Sequence, residues 1–460
     1  RFLEPAFGTG VFVSALISEV DSSRILSTVG FEIDSHYGKV AKDLWEDMVD
    51  LRIDDFTKAN VDNQSFNLLI TNPPYVRHHY ISQNDKKKMK KEIFDSLGIN
   101  LSGLAGLYCY FILLAHNWLK AGAISGWLVP SEFMDVNYGG EIKKYLLEKV
   151  HLIRIHRYDP QKVMFADALV SSAVIWFKNE TISEDYEVEF SFGGTHDEPH
   201  ITKKIKKSVL LNEKKWTRFP CKEQRDVAAK DLPKLKDFFS IKRGLATGDN
   251  SFFILSKDKI EANQLDNKFF EPILPSPRFL NTNCVEADEQ GNPNMEKQYF
   301  LLNCRLLKHQ IQTDYPTLWA YLKSGEDTVS KGYLCSSRKQ WYFQEIRNPA
   351  PILCTYMGRN VQGSGRPFHF ILNYSQAIAT NSYLMLYPND EVSEAVKASP
   401  QLLKTIWEYL NTLTIDSLES EGRIYGGGLK KIEPKELGEV ICSQLGELIF
   451  GNKYSYVTNA

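Results

Sequence analysis

Short apolar runs alternate with amphipathic stretches through the first 180 residues, which is the pattern of a mostly parallel sheet with helices on its faces. Strands are expected at 1–4, 28–33, 67–71, 123–129, 150–156 and 169–177, and helices at 12–20, 37–49, 104–119 and 140–149. The last two strands are separated by 157–168, which carries no helical pattern, so they are expected to pair antiparallel at the sheet edge. Residues 181–233 turn polar and lysine-rich, with a KKIKK run at 203–207, and read as a junction between domains. From 234 to 460 short strand-like and helical runs are broken by aromatic, glycine and proline residues without a repeat, and no fold follows from the pattern.

Composition narrows the class. Of the 460 residues, 43% are hydrophobic and 24% charged, as in a globular protein with ample core, and the length suits two or three domains. The seven cysteines are scattered with no CxxC pair, which points to a reducing, cytoplasmic setting and away from a disulfide framework. The longest apolar run, 108–115, is too short to cross a bilayer, so no membrane partner is expected. With a net charge of −2, any polyanion must be met by a locally basic face. The chain opens at Arg1 inside a strand, and the native protein is expected to extend upstream.

Four segments carry candidate chemistry. In Glu4-Pro5-Ala6-Phe7-Gly8-Thr9-Gly10 a strand end passes through a glycine turn into a helix, where Gly8 and Gly10 would let a ligand approach the backbone. A tight turn without a ligand is the alternative. Glu32 ends the next strand, where a carboxylate can accept from both hydroxyls of a ribose. Asp54-Asp55-Phe56 follows a short strand and could offer an acceptor and a ring to a purine; alone it reads as an ordinary acidic turn. The fourth segment, Asn72-Pro73-Pro74-Tyr75, decides the reading. Its prolines fix an extended turn directly after an apolar strand. The Asn72 side-chain oxygen and the Pro73 carbonyl can then accept together from one NH2 group, beside the flat face of Tyr75. An aryl amine is a poor nucleophile because its lone pair is delocalised. Two fixed acceptors draw it toward a tetrahedral geometry and aim the lone pair at an electrophile, so positioning supplies much of the rate.

The series LEPAFGTGVF, FEID, DDF and NPPY resembles the gamma-class DNA adenine-N6 methyltransferases of type II restriction–modification systems, the TaqI-like branch. The likeness continues through Gly106-Leu107-Tyr108, Leu128-Val129-Pro130-Ser131 and Val163-Met164-Phe165, and more loosely through 241–248, Arg338 with Trp341 and Tyr342, and Gly426-Gly427-Gly428-Leu429. It implies a methyltransferase-type doubly wound α/β domain at 1–180, a connector at 181–233 and a mixed α+β target-recognition domain at 234–460. It implies S-adenosylmethionine as cofactor, with Glu4, Pro5, Ala6, Phe7, Gly8 and Gly10 at its methionine end, Glu32 on its ribose, and Asp55, Phe56 and Pro74 on its adenine. Asn72, Pro73 and Tyr75 would receive a flipped-out adenine of duplex DNA, with Phe165 packed beside it. The family carries a further cofactor segment upstream of the glycine loop, which this chain does not contain. The expected binding state is a monomer on DNA, and the resemblance leaves open a restriction endonuclease as partner or fused domain.

Residues 76–103, with Arg77, Lys86, Lys87 and Lys88, read as a long basic loop suited to phosphate contacts, or equally as a solvated helix face. In the C-terminal half Arg243, Arg338, Arg359 and Arg366, with Trp341 and Tyr342, are candidates for reading base edges, though buried structural roles suit each as well. Specificity is therefore expected beyond about residue 235. His196 and His200 imitate a metal pair, but Pro199 and Gly193-Gly194 oppose the helix that would align them, and no metal is expected. An RNA adenine or protein glutamine methyltransferase would use the same turn, and a recognition subunit without turnover would keep the same fold. The long C-terminal half weighs against the former, and intact Asn72 and Tyr75 against the latter.

Overall fold

The computed structural model describes residues 1–61, 65–160, 171–220, 232–359, 366–425 and 428–451. The chain divides into two compact units, Arg1–Gln224 with Tyr425–Gly427, and Arg225–Ile424 with Gly428–Ala460.

The first unit is built on a nine-stranded sheet. Its strands are β1 (Phe2–Glu4), β2 (Thr28–Phe31), β3 (Asp50–Arg52), β4 (Phe66–Thr71), β5 (Leu119–Pro130), β6 (His151–Arg157), β7 (Ser172–Lys178), β8 (Glu187–Gly194) and β9 (Pro199–Lys206). They lie in the order β3-β2-β1-β4-β5-β7-β6-β8-β9. The first five are mutually parallel. β7 runs antiparallel to both β5 and β6, so the expected reversal is present, with β7 inserted between its neighbours. This is the methyltransferase form of the doubly wound sheet.

The reversal does not lie at the sheet edge. Beyond β6 the sheet continues through β8, parallel to it, and β9, antiparallel to β8. Part of the stretch read as a junction, 187–194 and 199–206, is therefore sheet. β9 is the edge strand and exposes Lys203, Lys204 and Lys206. Lysines on an edge strand discourage pairing with a second sheet, and they also erase the apolar alternation by which a strand is recognised.

The helices flanking the sheet are α1 (Val11–Glu19), α2 (Ser35–Trp45), α3 (Gln83–Leu97), α4 (Leu107–Leu114) and α5 (Gly140–Glu148). α3 corrects the loop reading of 76–103. The Ser82 hydroxyl caps its first turn by accepting from the Asp85 N–H at 3.1 Å. Met89, Ile93 and Leu97 bury one stripe of it, and Gly98, at φ +69°, ends it. The lysine run surrounds Met89, and Lys86 falls on the buried side. α4 buries seven of its eight residues, as a helix apolar all round must. Behind it Trp118 packs against Phe31, Phe56 and Phe66 at centroid distances of 5.5, 5.5 and 6.2 Å.

The second unit, whose fold the pattern left open, is mixed α/β. A five-stranded sheet orders Phe239–Arg243, Tyr383–Pro388, Ile352–Thr355, Phe370–Asn373 and Cys284–Val285 side by side. Helices Asp390–Ala398 and Gln401–Thr412 cover it through Val392, Leu403, Ile406 and Leu410. A separate core gathers around Phe253, Leu301 and Tyr342. Among the described residues no helix is long and apolar enough to cross a membrane.

Trp118→Ala should cost the first unit about 3–5 kcal/mol, the usual range for emptying a buried aromatic site. Urea denaturation followed by circular dichroism checks this, and a loss below about 1 kcal/mol would contradict the packing described.

Candidate active site

Strand β1 pairs with β2 on one side and β4 on the other, so the chain winds away from it in both directions. A crevice opens where the winding reverses, at the C-terminal ends of the strands. A cavity of about 810 Å³ lies there. Glu4 at the end of β1, Glu32 just beyond β2, Asp54 and Asp55 beyond β3, and Asn72 beyond β4 all line it. Its carboxyl groups are those of Glu4, Glu32, Asp34, Asp54, Asp55 and Asp85, and among the described residues no lysine, arginine or histidine joins them.

The glycine turn holds its shape through specific contacts. Gly8, at φ +56°, donates its N–H to Glu32 Oε2 at 2.8 Å, while Glu32 Oε1 accepts from the Asp34 N–H at 2.8 Å. Glu32 is thereby fixed at the tip of β2 with lone pairs left over. Gly10, at φ +89°, serves a different purpose from the one expected. A Cβ there would lie 2.2 Å from Trp45 Nε1, whose N–H donates to the Thr9 carbonyl at 2.8 Å. Gly10 makes room for Trp45 and is not part of the cavity wall, whereas Pro5, Ala6, Phe7 and Gly8 are.

Glu4 is 1% exposed, and its Oε2 has no hydrogen-bond partner. Burial pushes its pKa up to about 9, so the free protein holds it as the neutral acid at neutral pH. Asp55 sits in the opposite condition. Burial pulls its pKa upward, but the Thr57 hydroxyl at 2.7 Å, the Lys58 ammonium at 3.0 Å and the Thr57 N–H together outweigh it and hold the group below the usual value. Phe56 is buried against Phe31 and Phe111, at 5.4 and 5.3 Å, and floors the cavity.

Asn72 is exposed and, with Pro74, forms cavity wall, while Pro73 is buried. Tyr75 is half-buried and lies outside the lining. Its hydroxyl donates to the Leu128 carbonyl on β5 at 3.1 Å, which ties the turn to the neighbouring strand. Burial raises the phenol pKa far above its ordinary value, so the group remains a donor. Phe165 and its neighbours Val163 and Met164 lie outside the described residues, as do Gly426 and Gly427. Pattern reading missed Val11, Phe12, Ile33 and Tyr37, and Ile81, Asp85, Met89, Leu107 and Phe111 on the 76–114 side of the cavity. The i, i+4 spacing of Asp85 and Met89 was an available signal, hidden by the lysines between them.

Two family descriptions match. "Type II methyltransferase M.Eco57I, C-terminal domain" covers residues 213–454, more than half of the chain, and "Eco57I restriction-modification methylase" covers 27–165. The chain belongs to the Eco57I family of type II restriction–modification methyltransferases. It is 29% identical to type II methyltransferase M.AccI of Acinetobacter calcoaceticus, over 97% of this chain and 81% of that protein. It is 27% identical to type II methyltransferase M.XamI of Xanthomonas campestris pv. amaranthicola, with the same coverage of each. Among solved structures it is similar to the type IIL restriction-modification enzyme MmeI in complex with DNA, with a TM-score of 0.53 and 13% identity. That match spans 88% of this chain and 58% of the other, and it is a likeness of fold.

The basic candidates of this Eco57I-family chain separate once placed. Arg77, Lys87 and Lys88 are exposed, whereas Lys86 is buried on α3. Arg243 is exposed. Arg338 is half-buried and donates to the Ala246 carbonyl at 2.9 Å. Trp341 packs against Phe252 and Phe253 at 5.6 and 6.0 Å, and Tyr342 is buried with its hydroxyl on the Leu306 carbonyl. Arg366 donates to the Asn411 and Leu413 carbonyls. Four residues proposed to read bases thus hold the unit together. His196, once a metal lookalike, accepts from the Trp176 indole N–H at 3.0 Å, and among the described residues no cluster of metal-ligating side chains occurs.

Glu4 yields a pH prediction. Its folded pKa, about 9, exceeds the ordinary value of 4.5, so folding binds the proton more tightly. The stability this contributes is complete below the ordinary value and is lost progressively as pH rises toward the folded one. Glu4→Gln cannot ionise and should escape the loss. Its melting temperature should gain on wild type by a few degrees between about pH 6 and 8.5. A difference that stays constant or reverses would show that Glu4 is already ionised in the fold.

Proposed function

We propose that this chain transfers a methyl group from S-adenosylmethionine to the N6 amine of an adenine flipped out of duplex DNA. The reading rests above all on one observation: a cavity walled by six carboxyl groups and, among the described residues, no basic side chain, with Asn72 in its lining. S-Adenosylmethionine carries a sulfonium and an ammonium, and the cavity's chemistry suits it. A dinucleotide would bring a pyrophosphate into the same carboxyl groups, and among the described residues no basic side chain lines the cavity to meet it.

The residues present fit the cofactor. Glu4, with an oxygen lacking any partner, would become the carboxylate that meets the ammonium. Glu32, fixed by two backbone donors, would accept from the ribose hydroxyls. Asp55, ionised, would face the adenine amine, between Phe56 and Pro74. Bound there, the cofactor supplies an electrophilic methyl group. The chain's own task is to present the nucleophile. Asn72 Oδ1 and the Pro73 carbonyl accept from the N6 hydrogens, localise the lone pair and gain strength as positive charge develops on the nitrogen. Tyr75 offers its ring to the extruded base while its hydroxyl remains on Leu128. No strong base is needed before attack, and the surplus proton is released to water afterward.

DNA enters through membership of a type II restriction–modification family. In this reading the exposed Arg77, Lys87 and Lys88 meet phosphates on the side of the Asn72 turn. Residues beyond about 235 select the sequence, and the protein acts in the cytoplasm, as a monomer on its site, alongside a restriction endonuclease.

Two sets of variants test the roles. Asn72→Ala should lower the single-turnover methylation rate about 100-fold or more while duplex affinity survives, because phosphates dominate binding. Tyr75→Ala removes a stacking face of about 1–3 kcal/mol, comparable with the cost of extruding a base. Flipping, read by 2-aminopurine fluorescence at the target position, should fall, and Tyr75→Phe or Tyr75→Trp should keep most of it. Normal single-turnover chemistry in Asn72→Ala, or undiminished flipping in Tyr75→Ala, would remove the turn from the reaction. In Glu4→Gln, calorimetric affinity for S-adenosylmethionine should fall about 10- to 100-fold, the worth of a buried charge-assisted hydrogen bond. Unchanged affinity would place the ammonium elsewhere.

A further inference from the structure

Of the four arginines considered as base readers, Arg338 and Arg366 spend their terminal nitrogens on backbone carbonyls. Arg359 is exposed with no immobilising contact among the described residues. Arg243 differs from all three, because it is both exposed and locked. Its Nε–H donates to the Asn381 carbonyl at 3.1 Å, and its guanidinium lies over the ring of Tyr356, 4.1 Å from the centroid. The supports are themselves held. Tyr356 is 1% exposed, and its hydroxyl donates to Glu433 at 2.7 Å, which in turn pairs with Lys431 at 2.8 Å. The Asn381 N–H donates to the Leu245 carbonyl, and the adjoining Gly244 approaches the Thr380 carbonyl so closely that a Cβ would lie 2.1 Å from it. Among the described residues the two Nη groups carry no hydrogen bond.

A guanidinium fixed by one edge and one face presents its remaining N–H pair in a defined plane. Such a pair matches O6 and N7 of guanine in the major groove, the commonest bidentate contact between arginine and a base. A phosphate would not need this rigidity, since flexible lysines such as the adjacent exposed Lys242 serve it as well. We infer that Arg243 reads a guanine of the recognition sequence, held for the purpose by Tyr356 and the Asn381 carbonyl. The inference rests on the proposed action on duplex DNA and names a residue that sets its specificity.

The test begins with the methylated sequence, found by sequencing DNA modified by the full chain. Duplexes are then made with 7-deazaguanine replacing each guanine of that sequence in turn, which removes the N7 acceptor and little else. The unmodified duplex with wild type is the reference, so failure of the proposed function appears there as absence of methylation. With methylation present, one 7-deaza position should lower wild-type kcat/KM by about 3- to 12-fold, the worth of one of the pair's two hydrogen bonds. The same replacement should change Arg243→Ala and Arg243→Lys less than twofold. Duplex anisotropy measures the same ratios without requiring turnover, and melting curves establish that the variants fold. The inference is overturned if every 7-deaza effect persists in both variants, or if the methylated sequence contains no guanine. A uniform loss across all duplexes in Arg243→Ala, rescued by Arg243→Lys, would also overturn it by making Arg243 a phosphate contact.

Discussion

The first unit depends on β1 being hydrogen-bonded to β2 on one side and β4 on the other, with all three strands parallel. Parallel strands must end on the same edge of the sheet, and outward winding from β1 opens that edge into a crevice. Residues far apart in sequence, Glu4, Glu32, Asp55 and Asn72, meet there because each follows its strand by no more than a few positions. The side chains then need little further arrangement. Gly8 donates to Glu32, Thr57 fixes Asp55, and Tyr75 fastens the proline turn to β5.

The same edge carries a cost. A carboxyl group at the end of a buried strand, without a partner for one of its oxygens, opposes folding once it ionises. The fold tolerates it as a neutral acid. In the proposed reading, binding of the cofactor's ammonium is coupled to loss of a proton at Glu4. Gly10 shows the complementary case: a position resembling a ligand-approach glycine is required by the packing of Trp45.

The catalytic unit was legible where apolar periodicity and turn chemistry agreed. The strands leading to Glu4 and Asn72 are followed by residues whose backbone demands are narrow, Pro5 and the positive-φ Gly8 in one case and two prolines in the other. α3 was hidden because lysines flank Met89 on both sides, so the charge run at 86–91 was more visible than the buried stripe of Met89, Ile93 and Leu97. β9 was hidden because an edge strand exposed on both faces does not alternate. The second unit resisted because its strands are short and paired across long separations, as Phe239–Arg243 is with Tyr383–Pro388. Its arginines could not be sorted in advance, since local sequence does not distinguish a guanidinium that binds a carbonyl from one that leaves its end free. Arg338, Arg366 and Arg243 became different residues only when their partners were known.

The central claim is that the Asn72 turn delivers a methyl group to the amine of adenine in DNA. It is tested most directly by identifying the product nucleoside. Unmethylated duplex DNA is incubated with the purified chain and S-adenosylmethionine labelled in its methyl group, digested to nucleosides and separated by chromatography. The account predicts that the label elutes as N6-methyldeoxyadenosine. Label in a methylated cytosine, or none in the DNA while the protein binds both cofactor and duplex, would contradict it.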